Sequence, residues 1–244
     1  MNFPRTYRTP GGTVPSLYLD MLKQPHCLIA GASGSGKSVV LNGLISSLIR
    51  GHSPATAQLV LVDPKRVELA AWAKLPHCIG HVTEPDDIAR TLSRVLEIID
   101  RRYRDAQAAG QRIFSGAEIY VIIDELADLM TTDRKRIQPL LQRIAQIGRA
   151  ARVHLIAATQ CPLASVIPTA IKCNFSAVLG LHARSAQDSR NIIGFSGLER
   201  LPMYGRGAYL SPGRDAIPAT IRLVPDDEIT ELVQYWTSPA CVVA

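Results

Sequence analysis

Apolar residues alternate along this chain between two patterns. Short unbroken apolar runs read as buried strands: Cys27–Ala30, Gln58–Val62, Ile119–Ile123, Val153–Ala158 and Ser176–Leu181. Between them the spacing lengthens to the helical period. Val39–Ile49 predicts one helix. A longer one starts at Thr83 or Asp86, carries Ile88, Leu92, Val95, Leu96, Ile99 and Tyr103 along one face, and stops at Gly110. Arg134–Gln146 predicts a third, and Asp226–Trp236 a last one whose first turn is acidic, the sign that the helix dipole favours. Glu68–Trp72 reads as a short helix, and Ala208–Leu210 and Ala219–Leu223 as late antiparallel strands. Pro64 closes the second strand because proline has no N–H to give to a ladder. Strands alternating with helices predict an α/β domain, a mostly parallel sheet flanked by helices on both faces. Residues 1–15, rich in Pro, Gly and Thr, read as an extended arm, with a short amphipathic piece at Tyr18–Lys23. One domain is expected over 16–236, followed by a tail at 237–244.

Composition narrows the class. The chain has 244 residues, 47% of them hydrophobic, so it can build a sizeable core and is not a disordered segment. Lys and Arg exceed Asp and Glu by 27 to 21, a net charge of +6, which permits a nucleic-acid partner without demanding one. Arg90, Arg94, Arg101, Arg102 and Arg104 decorate the long helix and read as a solvated face. Five cysteines form no C-x-x-C pair and no zinc spacing, so reduced thiols and a cytoplasmic location are expected. No apolar run approaches the ~20 residues of a membrane span. Any membrane or secretion partner is expected to be another chain.

Chemistry enters at Gly31-Ala32-Ser33-Gly34-Ser35-Gly36-Lys37-Ser38, which fits G-x-x-x-x-G-K-[ST]. Glycines let the loop curl so that several N–H groups converge on phosphate oxygens, and the following helix adds its positive end. Lys37 can reach the β- and γ-phosphates of ATP, and Ser38 can offer its hydroxyl to Mg²⁺. The loop lies between a predicted strand and a predicted helix, which separates it from a chance match in a linker.

A second motif ends the Ile119–Ile123 strand in Asp124-Glu125. In an open parallel sheet, ligands sit at the carboxyl ends of the strands. Asp124 is therefore a candidate for Mg²⁺, and Glu125 for deprotonating the attacking water. Gln160, after Ala157-Ala158-Thr159, can reach a γ-phosphate or that water. Arg149 leaves two readings open. It can stabilise phosphoryl transfer in a neighbouring subunit, or it can satisfy carbonyls at a helix C-terminus.

These motifs in this order resemble the motor domain of the FtsK/SpoIIIE family of DNA translocases, within the FtsK–HerA group. The resemblance runs from about Pro25 to Trp236. It rests on Pro25-His26, Val62-Asp63-Pro64-Lys65 with Glu68-Leu69, Asp124-Glu125-Leu126-Ala127-Asp128-Leu129-Met130, Arg143-Ile144-Ala145-Gln146, Arg149-Ala150-Ala151, His154-Leu155, Ala158-Thr159-Gln160, Asp188-Ser189-Arg190 and Gly197-Leu198-Glu199. It implies a RecA-like P-loop ATPase that forms a homo-hexameric ring around double-stranded DNA. It also implies that Arg149 enters the neighbouring site, and that Lys172, Arg184 and Arg190 face the channel as DNA contacts. Cys161 and Ala186 stand where relatives often carry Arg and Lys. The alternative is an ATPase of a secretion, conjugation or packaging system acting on protein or DNA–protein substrates. DNA stimulation of the ATPase separates the two.

Overall fold

The computed structural model describes residues 8–9, 12–13, 23–160, 163 and 166–238. Within the expected arm, β1 (Arg8–Thr9) pairs antiparallel with β2 (Gly12–Thr13) as a small ribbon. The amphipathic piece at Tyr18–Lys23, except for its last residue, lies outside the described residues, as do 239–244 of the tail.

The domain proper begins with β3 (His26–Ala30), α1 (Lys37–Gly51) and β4 (Ala57–Val62). A 3-10 turn at Ala70–Lys74 takes the place of the short helix expected over Glu68–Trp72. β5 (Cys78–Val82), α2 (Pro85–Ala108), β6 (Glu118–Ile123), α3 (Leu126–Thr132), α4 (Arg134–Ile147) and β7 (Val153–Thr159) follow. The chain ends with α5 (Thr169–Lys172), β8 (Ala177–Gly180), α6 (Ala186–Ile193), β9 (Arg206–Leu210), β10 (Ile217–Thr220) and α7 (Asp226–Thr237). The main sheet has eight strands in the order β10-β9-β8-β3-β7-β6-β4-β5. β8 through β5 are parallel, and β9 and β10 add antiparallel at one edge. This is the expected mostly parallel α/β sheet.

Strand alternation sends neighbouring residues to opposite faces, so the sheet carries two cores. On one face Leu28, Val60, Val121 and Ile123 pack with α2, α3 and α4 through Leu92, Leu126, Leu141 and Ile144. On the other, Ile29, Leu61, Tyr120 and Ile122 pack with α1 and α7 through Leu41, Ile45, Leu48 and Ile229. Burying both faces is what turns these strands into unbroken apolar runs.

Several elements depart from the pattern reading, α5 and the β1–β2 ribbon among them. β5 is an edge strand with no fully buried residue, so its sequence shows neither a run nor an alternation. α3 and α6 are short helices, seven and eight residues long, that follow the site motifs directly. The long helix also turns differently near its end. Arg102, expected on the solvated face, is 6% exposed, and Tyr103, expected in the core, is 40% exposed. The stripe Ile88, Leu92, Val95, Ile99 continues at 3.6-residue spacing through Arg102 to Ala106.

Candidate active site

β3 delivers the phosphate loop to the carboxyl edge of the sheet. Gly34 and Gly36 have φ of 75° and 95°, the left-handed region that glycine enters without a Cβ penalty. Gly36 is the N-cap of α1, and no side chain caps the helix and no acid sits in its first turn. Its first N–H groups are therefore left for an anion. The loop is anchored from below: Ala32 N–H donates to His182 O at 2.8 Å, and Gly31 N–H to Thr159 O at 3.3 Å. Lys37 is 7% exposed and donates through Nζ to Gly31 O at 3.1 Å and Ala32 O at 2.7 Å. Burial pulls the ammonium down to about 8, while Glu125 and Asp124 oppose that shift. Ser38, next to Lys37 in the first turn of α1, is half-buried, and Ser33 is exposed. Ser35 is fully buried, and its hydroxyl has no partner among the described residues.

Carboxylates gather at the ends of the next two strands. Asp124 is 7% exposed and is pushed up to about 7, by burial first and then by Asp63 and Glu68. Asp63 is fully buried; one oxygen accepts from Leu69 N–H at 3.0 Å and the other has no partner among the described residues. This surplus of buried negative charge fits a divalent cation, with Ser38 and Asp124 as the residues that would hold it. Glu125 is 3% exposed. It caps α3 by accepting from Ala127 N–H at 3.2 Å, and it accepts Gln160 N–H at 3.1 and 3.2 Å. The backbone of Gln160 thus orients Glu125, while the Gln160 side chain is exposed at the end of β7. Lys65, part of the Asp63-Pro64-Lys65 motif but not singled out from sequence, sits 3.7 Å from Glu125 and 3.4 Å from Asp128. Burial opposes its charge, but Asp128 and Glu125 hold its ammonium above the ordinary range.

Arg149 lies at the opposite edge. It follows α4 and precedes β7, whose far end meets the phosphate loop. β7 has seven residues. At about 3.3 Å per residue, roughly 20 Å of strand separates Arg149 from the loop of its own subunit. The exposed Arg149 side chain cannot bridge that span. Gly148 is required here by close approach: a Cβ would lie 2.6 Å from Val153 O and 2.7 Å from Ile144 O.

The three basic residues assigned to DNA divide into two places. Lys172 Nζ donates to Asn191 O at 3.0 Å, which joins α5 to α6 and to the exposed Arg190. Arg184 emerges two residues after the His182 carbonyl that holds the loop, close enough for its charge to depress Lys37. Cys161 lies outside the described residues.

Comparison with known proteins agrees with this geometry. The model of the FtsK/SpoIIIE family matches residues 9–118 and 106–164. The DNA translocase FtsK of Staphylococcus aureus (strain Mu50) is 37% identical over 235 residues, 87% of this chain and 30% of that protein. The chain thus spans about a third of the curated relatives it matches. Among solved structures, the pCW3 conjugation coupling protein TcpA with ATPγS superposes with a TM-score of 0.77 at 25% identity, covering 94% of this chain and 69% of TcpA. The cytoplasmic domain of the type VII secretion ATPase EccC of Thermomonospora curvata shares the fold, with a TM-score of 0.74 at 24% identity over 90% of this chain and 29% of EccC. The family match spans both the phosphate loop and the strand-end carboxylates, and the chain belongs to the FtsK/SpoIIIE family.

Proposed function

We propose that this chain is the motor of an ATP-driven translocase of double-stranded DNA, working as a homo-oligomeric ring in the cytoplasm. The observation that carries the reading is the division of the site between two sheet edges. The loop, Lys37, Asp124, Glu125 and Gln160 meet at one edge; Arg149 is held at the other. A subunit that displays a phosphate site on one edge and an arginine on the opposite edge is suited to a head-to-tail ring, in which each edge completes the other.

In that ring Lys37 leaves its own loop carbonyls for the β- and γ-phosphates. Ser38 and Asp124 are the residues that would hold Mg²⁺, which would supply charge neutralisation for the phosphates when bound. Glu125 takes the proton of the attacking water. Arg149 of the neighbour stabilises charge on the transferred phosphoryl group, a role worth 10³–10⁵ in rate in known systems. Lys172, whose ammonium donates to Asn191 O on α6, and the exposed Arg190 of the same helix supply sequence-independent phosphate contacts.

The test is the steady-state ATPase rate with and without duplex DNA across a salt series. We expect stimulation by duplexes of unrelated sequence, and a stimulation that weakens as salt rises. An ATPase indifferent to DNA at every salt concentration would remove the DNA assignment and leave a protein-substrate motor as the better reading.

A further inference from the structure

The turn that carries Arg149 has an unusual hydrogen-bond inventory. Every carbonyl from Ile147 to Arg152 accepts a bond. Tyr103 Oη–H donates to Ile147 O at 2.8 Å. The N–H groups of Ala151 and Val153 donate to Gly148 O at 3.0 and 2.9 Å, and that of Arg152 to Arg149 O at 3.1 Å. Phe114 N–H reaches Ala150 O at 2.9 Å, and Ile119 N–H reaches Arg152 O at 3.0 Å. Arg102 Nη1 donates to Ala151 O at 2.8 Å and more loosely to Arg152 O at 3.4 Å. Several of these donors come from α2 or the loop after it, outside the turn itself.

Arg102 is the costly member. Its side chain is buried, and among the described residues it has no carboxylate partner. Its guanidinium lies 4.7 Å from the centroid of the Phe114 ring. Burial, with Arg101 and Arg152 adding repulsion, draws it down to about 10. A buried cation without an acid is destabilising, and most helices place an apolar residue at such a position. What Arg102 gains is hydrogen bonding to the carbonyls of one turn. Arg152, on that turn, adopts a left-handed φ of 55° and pairs with the buried Glu118. A non-glycine residue held there needs surroundings that over-determine it.

We infer that Arg102 and Tyr103 are positioning residues for Arg149. They fix the Ile147–Arg152 turn in the conformation that presents Arg149 to the nucleotide of the adjacent subunit. The inference rests on the trans role of Arg149 proposed above. Neither residue touches nucleotide; each acts through the backbone of the turn. Misplacing a catalytic group by about 1 Å costs roughly 10²-fold, so loosening this turn is expected to matter on that scale.

The experiment compares Arg149→Ala, Arg102→Ala, Arg102→Lys and Tyr103→Phe in the full chain, alone and mixed with Lys37→Ala subunits. Arg102→Ala is expected to keep the nucleotide affinity of the subunit and to lower turnover of the assembly by ~10²-fold. Mixed with Lys37→Ala subunits it should regain activity as Arg149→Ala does, because its own phosphate loop is intact. A subunit with general structural damage would not complement. Arg102→Lys, which keeps charge and one donor, should recover part of the rate, and Tyr103→Phe should lose only a few-fold. The Arg102→Ala/Arg149→Ala double variant should be no slower than Arg149→Ala alone. If Arg102→Ala fails to fold, Arg102→Lys and Tyr103→Phe carry the test, since each removes little more than a bond to the turn. Arg149→Ala impaired while these variants turn over like wild type would overturn the positioning role and leave the trans arginine standing. Arg149→Ala with wild-type turnover would remove the trans reading itself.

Discussion

The two edges of the central sheet differ in which backbone groups they leave open. At the carboxyl edge, Ser35 Oγ and one oxygen of Asp63 are buried without partners among the described residues, and the first turn of α1 has no side-chain cap. Lys37 turns back on its own loop, and Asp124 sits among other carboxylates. At the amino edge every carbonyl of the Ile147–Arg152 turn accepts a bond and a buried arginine is committed to two of them, although Arg152 Nε, His26 Nε2 and His154 Nε2 are buried there without a hydrogen-bond partner among the described residues. Buried polar groups without partners are destabilising unless a ligand supplies them. The contrast that holds is in the backbone: the first N–H groups of α1, at the end of the phosphate loop, are left uncapped, while the carbonyls of the arginine turn are taken, which suits the proposed ring, where the arginine is in place before the ligand arrives.

The sharpest break of this comparison comes from Lys37. Lys37→Ala removes the buried ammonium that faces the phosphates and should abolish nucleotide binding or turnover, with nucleotide titration as the measurement. The amino edge should be untouched, so this variant should still serve as the arginine donor in mixed assemblies. ATPase activity at the wild-type level would dissolve the assignment of the carboxyl edge.

Next in size is Glu125→Gln. The amide oxygen can still cap α3 at Ala127 N–H, so the fold is retained. It cannot take a proton from water. Turnover should fall by roughly 10²–10⁴-fold while ATP still binds. Hydrolysis at the normal rate would mean that another group is the base.

The two edges also differ in how far the sequence discloses them. The carboxyl edge is legible because its chemistry is local: one contiguous loop, and two carboxylates directly after an apolar strand. Lys65 shows the limit, since its contact with Glu125 joins two strand ends that are far apart in sequence. The amino edge is mostly hidden. Its donors come from α2, the loop after it and β6, and an arginine that hydrogen-bonds to carbonyls leaves no motif. A trace is present: Arg102 falls on the apolar stripe of α2, where an arginine is out of place. Charge alone suggests a solvated face. Edge strand β5 escapes the pattern for a related reason: four of its five residues are only partly buried and one is exposed, so neither a continuous run nor an alternation marks it.

A smaller effect, on stability, separates the edges by pH. His26 and His154 lie beneath the arginine turn, and both are lowered to about 4, chiefly by burial. Glu118 Oε2, 3.8 Å from His154 Nε2, favours the charged ring, but burial wins and Arg152 and Arg102 add repulsion; His154 in turn lowers His26. The folded state therefore binds fewer protons than the unfolded chain between about pH 4 and 6.5. Stability from these rings is present above that window and is lost as pH falls through it, by up to roughly 2–3 kcal/mol each. Asp124, pushed up to about 7, has the opposite sign: its penalty grows as pH rises from about 4 to 7. Thermal melts from pH 7.5 to 5 should show a flatter decline for His154→Gln than for wild type. An unchanged slope would mean that His154 is already protonated in the fold.

The smallest effect concerns Arg184, and it tests where the binding edge ends. Sequence resemblance groups it with Lys172 and Arg190 as a DNA contact. The fold gives it a second neighbour. β8 runs parallel to β3, His182 O holds Ala32 N–H at 2.8 Å, and Arg184 emerges beside the phosphate loop. Lys172 is tied instead to Asn191 O, next to Arg190 on α6. An exposed cation beside an anion site adds a modest, screened attraction to bound phosphate. Arg184→Ala should therefore weaken nucleotide affinity by a few-fold and leave the salt dependence of DNA binding unchanged. Arg190→Ala should do the reverse, reducing the slope of log affinity against log salt by up to ~0.9 for each DNA phosphate that the arginine neutralises. Duplex affinity at several salt concentrations, with nucleotide affinity measured alongside, distinguishes the two. If Arg184→Ala instead lowers the DNA salt slope and spares nucleotide affinity, Arg184 faces the channel, and the nucleotide edge ends at the His182 carbonyl.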